Sequence, residues 1–353
     1  MSAAQPKARR RFPGLDPVVL QHPYDRAALG ALQKVPGLDI VVRKFIELFP
    51  ERVAYIQNVA QTVRASYAQC PQLYAQLREA CAILDVPEPE LYVAQNPIPN
   101  AATSGHDHPY IILTTGLLDL MNEDEILAVI AHELGHIKSG HVLYKTMARG
   151  ISFLLALVGD LTLGIGRLVG RTLEATLLEW DRMSEFTADR SSLLVVQDPQ
   201  VMLSLMMKFA GGTLFQRDQM DADEFLKQAD LYEAVDANIL DRVYKMLLVG
   251  AVNHPLTIVR AREIMNWSES REYKDILMGR YPRHAAPGFA ENHTWNKSGN
   301  AGAGGKSTDT KKPSSSSSTP SPASNGNALI RCPHCNREQP NRRFCSLCGG
   351  AIA

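Results

Sequence analysis

Ala131-His132-Glu133-Leu134-Gly135-His136 reads H-E-x-x-H. On a helix, residues four apart share a face, so His132 and His136 can each aim one imidazole nitrogen at a single ion. Glu133 falls about 100° around the helix from His132, beside the ion rather than on it. There its carboxylate can accept a proton from an activated water. Two neutral imidazoles and an open position describe a catalytic zinc site that still needs a third protein ligand. The plain alternative is a surface helix that carries two histidines by chance.

Working outward, Asn122 with Glu125 three residues later forms a capping box, and Glu123 and Asp124 suit the positive end of the helix dipole. Ile126, Leu127, Val129, Ile130, Leu134 and Ile137 make a broad apolar stripe, which predicts a largely buried helix. An H-E-x-x-H-x-x-G-x-x-H continuation is excluded, because Ser139 and Val142 stand at the later positions. The remaining source of a third ligand is a second helix, predicted over about 171–196. On it Glu185 and Asp189 lie four apart on one face. Glu185 would bind the metal, and Asp189 would accept the free N–H of a ligating histidine and fix its tautomer. A solvated acidic face paired with Arg182 and Arg190 is the competing reading of the same spacing.

These residues resemble the HtpX-like zinc metallopeptidases, which include the CAAX prenyl endopeptidases. The resemblance runs through Asn100-Ala101, Thr115 to Leu118, the H-E-L-G-H core, Glu185-x-x-Ala188-Asp189, His254-Pro255 and Arg260, over about residues 90–265. It implies a gluzincin fold with His132, His136 and Glu185 as zinc ligands and Glu133 as general base. It also implies that His254 faces the active site, steadying the oxyanion or occupying the open zinc position in a resting state. Arg260 falls where the family carries an arginine and would orient a carboxylate near the metal. A proline-fixed loop histidine and a solvated arginine are the plain readings of those last two.

The 353 residues carry 37 basic and 37 acidic side chains, so no global surface for nucleic acid or anionic membrane is indicated. Six cysteines are too few and too clustered for a secreted disulfide scaffold. Lys7, Arg9, Arg10 and Arg11 precede Pro13 rather than an apolar run, so no secretory signal peptide is read, and residues 1–14 are expected as a disordered basic tail. Residues 15–86 read as helices punctuated by Pro36-Gly37, Pro50 and Pro71, with Cys70 and Cys81 as free buried thiols. The catalytic core is expected over 87–284. Residues 90–98 and Tyr110–Thr115 read as strands, the second directly before the H-E-x-x-H helix. Either Asn100–Ser104 or Tyr110–Thr115 would be the edge that binds an extended substrate by strand addition.

Ile151–Leu178 is strongly apolar but is interrupted by Asp160 and Arg167. An acidic residue inside a span costs roughly 2.5–3.5 kcal/mol, so a helical hairpin broken near Gly159-Asp160 is preferred over a membrane crossing. Peripheral membrane contact through 151–170 remains open to it. Further helices are expected at Val201–Phe215, Phe225–Val249, Thr257–Trp267 and Arg271–Gly279.

Residues 285–329 are rich in Gly, Ser, Asn, Thr, Pro and Lys, a composition that predicts a flexible linker. Residues 330–353 carry Cys332-Pro-His-Cys335 and Cys345-Ser-Leu-Cys348, two C-x-x-C knuckles that can give four thiolates to one structural zinc. Four thiolates imply a reducing, cytoplasmic compartment, with membrane association allowed. The flanking Arg331, Arg337, Arg342 and Arg343 would suit an acidic or nucleic-acid partner, but such ribbons often bind protein, and a protein partner is the preferred expectation.

The expectation is therefore a mainly helical α+β, zincin-like metallopeptidase domain over 15–284 with a small sheet, tethered to a zinc ribbon. It would hold one catalytic and one structural Zn²⁺ and cleave protein or peptide substrates in protein quality control. The alternative is a zinc-binding adaptor, or a latent protease whose ribbon recruits partners.

Overall fold

In the computed structural model, the described residues are 9–48, 51–150, 165–213, 215–216, 219–234, 256–284, 329–331 and 338–340. The chain divides into two compact units, Met1–Ala286 and Pro287–Ala353.

The first unit begins with α1 (Pro23–Leu32), α2 (Leu38–Leu48) and α3 (Glu51–Gln61), then β1 (Val63–Arg64) and α4 (Pro71–Leu84). Next come β2 (Glu90–Ala94), β3 (Ala101–Ser104) and β4 (Tyr110–Thr114), then α5 (Thr115–Leu120) and α6 (Glu123–Lys138). Helical residues 142–150 form α7. They are followed by α8 (Ile165–Val196), α9 (Pro199–Gly211), α10 (Ala222–Ala234), α11 (Thr257–Glu269) and α12 (Arg271–Leu277). The architecture is mainly helical α+β with one small sheet, as the hydrophobic periodicity indicates.

The sheet order is β1-β2-β4-β3. β2 and β4 run parallel, while β1–β2 and β3–β4 are antiparallel. β3 is thus the edge strand beside α6, and β4 lies inside the sheet; this pairing decides between the two candidate edges. β4 does not lead straight into the H-E-x-x-H helix. Thr114 caps the short α5, its hydroxyl accepting the Leu117 N–H at 3.4 Å, and Met121 ends it before α6 starts.

The Asn122–Glu125 capping box is formed: Asn122 Oδ1 accepts the Glu125 N–H at 2.9 Å, and Glu125 Oε2 accepts the Asn122 N–H at 2.8 Å. Glu125 is fully buried, and its charge is met by Lys208 Nζ at 2.6 Å and Ser204 Oγ at 2.6 Å, both on α9. The cap therefore also ties the start of α6 to a neighbouring helix.

α6 packs along α8. Gly135 makes that approach possible. A Cβ there would fall 2.5 Å from Ser191 Oγ and 3.1 Å from the Ala188 Cα. Ala188 and Ala131 are fully buried at the same crossing, and Ser192 Oγ donates to the Ala128 carbonyl at 2.8 Å. Small residues on both helices bring their backbones together, and so bring the histidines of α6 beside the carboxylates of α8.

A second apolar cluster of Leu32, Leu38, Phe45, Met147, Leu173, Leu177 and Trp180 fastens the N-terminal helices to α7 and α8. The basic N-terminus is not a solvated tail throughout. From residue 9 it is docked: Arg9 Nη1 meets Glu79 at 2.8 Å and its Nη2 meets Asp124. Phe12 and Leu15 are buried in the main core, and the Phe12 N–H donates to the Ile83 carbonyl at 2.9 Å. Two apolar side chains among the arginines are enough to anchor it. Cys81 is buried as expected, but Cys70 is exposed just before α4.

α8 begins at Ile165 and runs unbroken to Val196, taking in the second half of the apolar stretch; residues 151–164 lie outside the described residues. No helix among the described residues is long and apolar enough to cross a membrane. In the second unit, β5 (Leu329–Arg331) and β6 (Glu338–Pro340) pair antiparallel, Arg331 opposite Glu338.

Candidate metal centre

α6 supplies His132, Glu133 and His136, α8 supplies Glu185 and Asp189, and α11 supplies Arg260. One ligand atom from each of His132, His136 and Glu185 lies within 4.8 Å of the others. His132 Nε2 is 3.2 Å from Glu185 Oε2, and His136 Nε2 is 3.4 Å from Glu185 Oε1.

These separations suit a zinc ion. Bonds of roughly 2.0–2.1 Å at tetrahedral angles place neighbouring ligand atoms roughly 3.3 Å apart. Two imidazoles and one carboxylate are also the donor set of a catalytic rather than a structural site. The buried surroundings reinforce the fit, since Glu185 and His136 have almost no contact with water.

Each histidine is oriented from behind. His132 Nδ1 lies 3.1 Å from Asp189 Oδ1, so an ionised Asp189 accepts the Nδ1–H and turns the Nε2 lone pair toward the site. Arg260 grips Asp189 with two donors, Nε to Oδ2 at 2.8 Å and Nη2 to Oδ1 at 2.6 Å, and its Nη1 is 3.6 Å from Glu185. Burial raises the Asp189 pKa, but Arg260 and His132 outweigh it and hold the carboxyl below its ordinary value. Arg182 and Arg190, the alternative partners for this acidic face, pair instead with Glu179 and Glu272. His136 Nδ1 meets His141 Nδ1 at 3.1 Å.

The electrostatics of the metal-free protein follow from burial. Burial opposes an imidazolium at His132, yet Asp189 and Glu185 together raise its pKa to about 9. Burial and Lys145 push His136 well below its ordinary value. Burial would neutralise Glu185, but Lys145 and the two histidines keep it ionised. Lys145 on α7, not anticipated from the sequence, sits 2.6 Å from Glu185 Oε1 and 2.7 Å from Asp181 Oδ1. Without an ion, a proton on His132 bridges these acceptors, and a metal held by His132, His136 and Glu185 would take its place.

Glu133 is buried beside the cluster. Its Oε2 accepts a hydrogen bond from Thr103 Oγ1 of β3 at 2.5 Å. The edge strand therefore lies directly over the group expected to move protons. His254, Cys332, Cys335, Cys345 and Cys348 lie outside the described residues.

Residues 68–268 match Peptidase family M48. The chain is 38% identical over 269 residues to the plastoglobule-localized metallopeptidase 48, chloroplastic, of Arabidopsis thaliana, covering 75% of this chain and 77% of that protein. It is 30% identical over 168 residues to the protease HtpX homolog 2 of Methanosarcina acetivorans, covering 41% of this chain and 57% of that one. The protease HtpX homolog of Methylibium petroleiphilum is 28% identical over 180 residues, covering 45% and 63%. The match thus spans less than two thirds of the length of these two microbial relatives. No solved structure matches. The matched span includes both helices that carry the histidines and carboxylates, and the chain belongs to peptidase family M48, as an HtpX-like zinc metallopeptidase.

Proposed function

We propose that the chain is a zinc-dependent endopeptidase whose catalytic ion is held by His132, His136 and Glu185. The observation that supports this most strongly is that one ligand atom from each of the three lies within 4.8 Å of the others, each imidazole Nε2 standing near zinc-ligand spacing from one of the two Glu185 oxygens. Zinc, when bound, supplies a Lewis acid that acidifies water and polarises a scissile carbonyl near neutral pH. Glu133 accepts the proton of the attacking water and delivers it to the departing amine. Thr103 steers the carboxylate, because its hydroxyl fixes one oxygen and leaves the other for this transfer. Asp189 and Arg260 hold His132 in the tautomer that ligates. His254 remains a candidate for steadying the oxyanion or for holding the site latent.

An extended peptide is taken up along β3. The Asn100 carbonyl accepts the Thr114 N–H at 3.0 Å, so by alternation Ala101 and Thr103 turn their main-chain groups to the free edge. Arg149 Nη1 already occupies the Thr103 carbonyl at 2.9 Å and Thr103 is buried, which leaves the half-buried Ala101 main-chain groups for substrate. Main-chain recognition of this kind accepts many sequences, which suits quality-control substrates.

Cys332, Cys335, Cys345 and Cys348 are proposed to hold a second, structural zinc. The β5–β6 ladder supports this, because its strands flank the first C-x-x-C in sequence, as a knuckle hairpin requires. The ribbon would recruit a protein partner. Contact with a lipid surface through 151–170 is supported by the plastoglobule-localized relative.

Zinc content and casein cleavage of the full chain test the reading. Wild type is expected to hold two zincs and cleave. His132→Ala with His136→Ala should hold one and not cleave, and Cys332→Ser with Cys335→Ser should lose the other. Undiminished cleavage by the double histidine variant would overturn the proposal.

A further inference from the structure

Behind His136 lies a buried chain of polar groups that begins far away in sequence, on α1. His136 Nδ1 meets His141 Nδ1 at 3.1 Å, and His141 Nε2 lies 3.2 Å from Asp25 Oδ2. Asp25 also accepts from Trp180 Nε1 at 3.0 Å and from Thr187 Oγ1 at 2.7 Å. The Thr187 hydroxyl oxygen itself accepts the His22 N–H at 2.9 Å, so its own hydrogen is free to point at Asp25. Asp25 is fully buried, and His141 and His136 are 2% and 1% exposed.

With Asp25 ionised and both imidazoles neutral, as a metal-ligating His136 requires, donor and acceptor logic assigns every proton in this chain. An ionised Asp25 can only accept, so His141 must carry its hydrogen on Nε2. Its Nδ1 is then a lone pair, and His136 must present Nδ1–H to it. The remaining lone pair of His136, on Nε2, faces Glu185 Oε1 at 3.4 Å. Two acceptors that face each other at that distance are reconciled by a cation. The three donors around Asp25 offset the cost of burying its charge.

We propose that Asp25 and His141 are positioning residues that hold His136 in its metal-ligating tautomer, a role that rests on His136 being a zinc ligand. His136 is thereby served by a His–Asp relay from the N-terminal helix, while His132 is served directly by Asp189. Asp25 lies outside the span that matches the family, so this arm of the site is built by the α1 helix packed on α8. Asp25→Asn would reverse the relay. An amide in that place donates to His141 Nε2, moves the His141 hydrogen to Nδ1, and sets it against the Nδ1–H of His136.

The test is zinc affinity of the full chain by chelator competition, counting the zinc bound beyond that retained by a His136→Ala variant. Melting of the metal-free proteins is followed in parallel. Asp25→Asn is expected to weaken zinc by roughly 10–100-fold, the usual consequence of losing a partner behind a ligand. At position 141, His141→Asn keeps an acceptor where Nδ1 stood and should stay near wild type. His141→Leu removes the acceptor and should fall with Asp25→Asn. This second pair answers the question even if Asp25→Asn does not fold. Equal affinities for His141→Asn and His141→Leu would overturn the relay, as would a lower metal-free melting temperature for Asp25→Asn with unchanged zinc affinity. If wild type binds no more zinc than His136→Ala, the metal assignment itself fails.

Discussion

Glu133→Gln is expected to leave the zinc content unchanged and to lower casein cleavage by at least ~100-fold, the lower bound of what a positioned acid–base group contributes. The amide is nearly isosteric and can still meet the Thr103 hydroxyl, so α6, β3 and the three ligand positions should survive the change. What it loses is the ability to accept a proton at neutral pH. Cleavage by Glu133→Gln at the wild-type rate would remove this residue from the mechanism and shift the search for a base to another group. Loss of zinc together with activity would instead mean that Glu133 acts on the metal directly.

The largest stability effect is expected at Asp189. Asp189→Ala leaves the Arg260 guanidinium buried without its two best acceptors, and leaves the His132 Nδ1–H without a partner. Breaking a buried pair by removing one member costs about 3–5 kcal/mol. In a domain of this size that corresponds to a fall in melting temperature of roughly 6–20 °C. Zinc affinity should fall as well, because His132 is then free to rotate or change tautomer. Thermal unfolding of the metal-free proteins isolates the first effect, and chelator competition reads the second. An unchanged melting temperature would show that Arg260 is compensated by Glu185 alone.

Local features were the legible ones. The capping box at Asn122 and Glu125, the histidines four apart on α6 and the carboxylates four apart on α8 are short-range patterns, and each falls on the expected element. The third partner, Arg260, needed the family resemblance, since a lone arginine on a helix has no spacing to read. Pairing between distant segments was not legible. Nothing local to Ala101–Ser104 or Tyr110–Thr114 says which strand is the edge, because that depends on β2 lying beside β4. Nor could the short α5 be separated from the strand before it, because its cap, Thr114, is also the last strand residue.

Asp25, His141 and Lys145 were missed for the same reason. Each is a single polar residue in an ordinary helical or loop context, and each matters only because α1, α7 and α8 pack together. The one available signal was the second histidine that follows His136 by five residues. A helix that ended after Lys138, as α6 does, would let His141 fold back onto it. The docked N-terminus shows the converse case: composition marked residues 1–14 as solvated, and the buried Phe12 and Leu15 overrode it from residue 9 onward.

The central claim is that His132, His136 and Glu185 hold a zinc ion, and anomalous diffraction at the zinc edge from crystals of the zinc-loaded chain tests it most directly. The account predicts a peak about 2.0–2.1 Å from His132 Nε2, His136 Nε2 and a Glu185 carboxylate oxygen, with the fourth position facing β3. Zinc-loaded crystals with no peak between α6 and α8, or with a peak ligated by other residues, would contradict it.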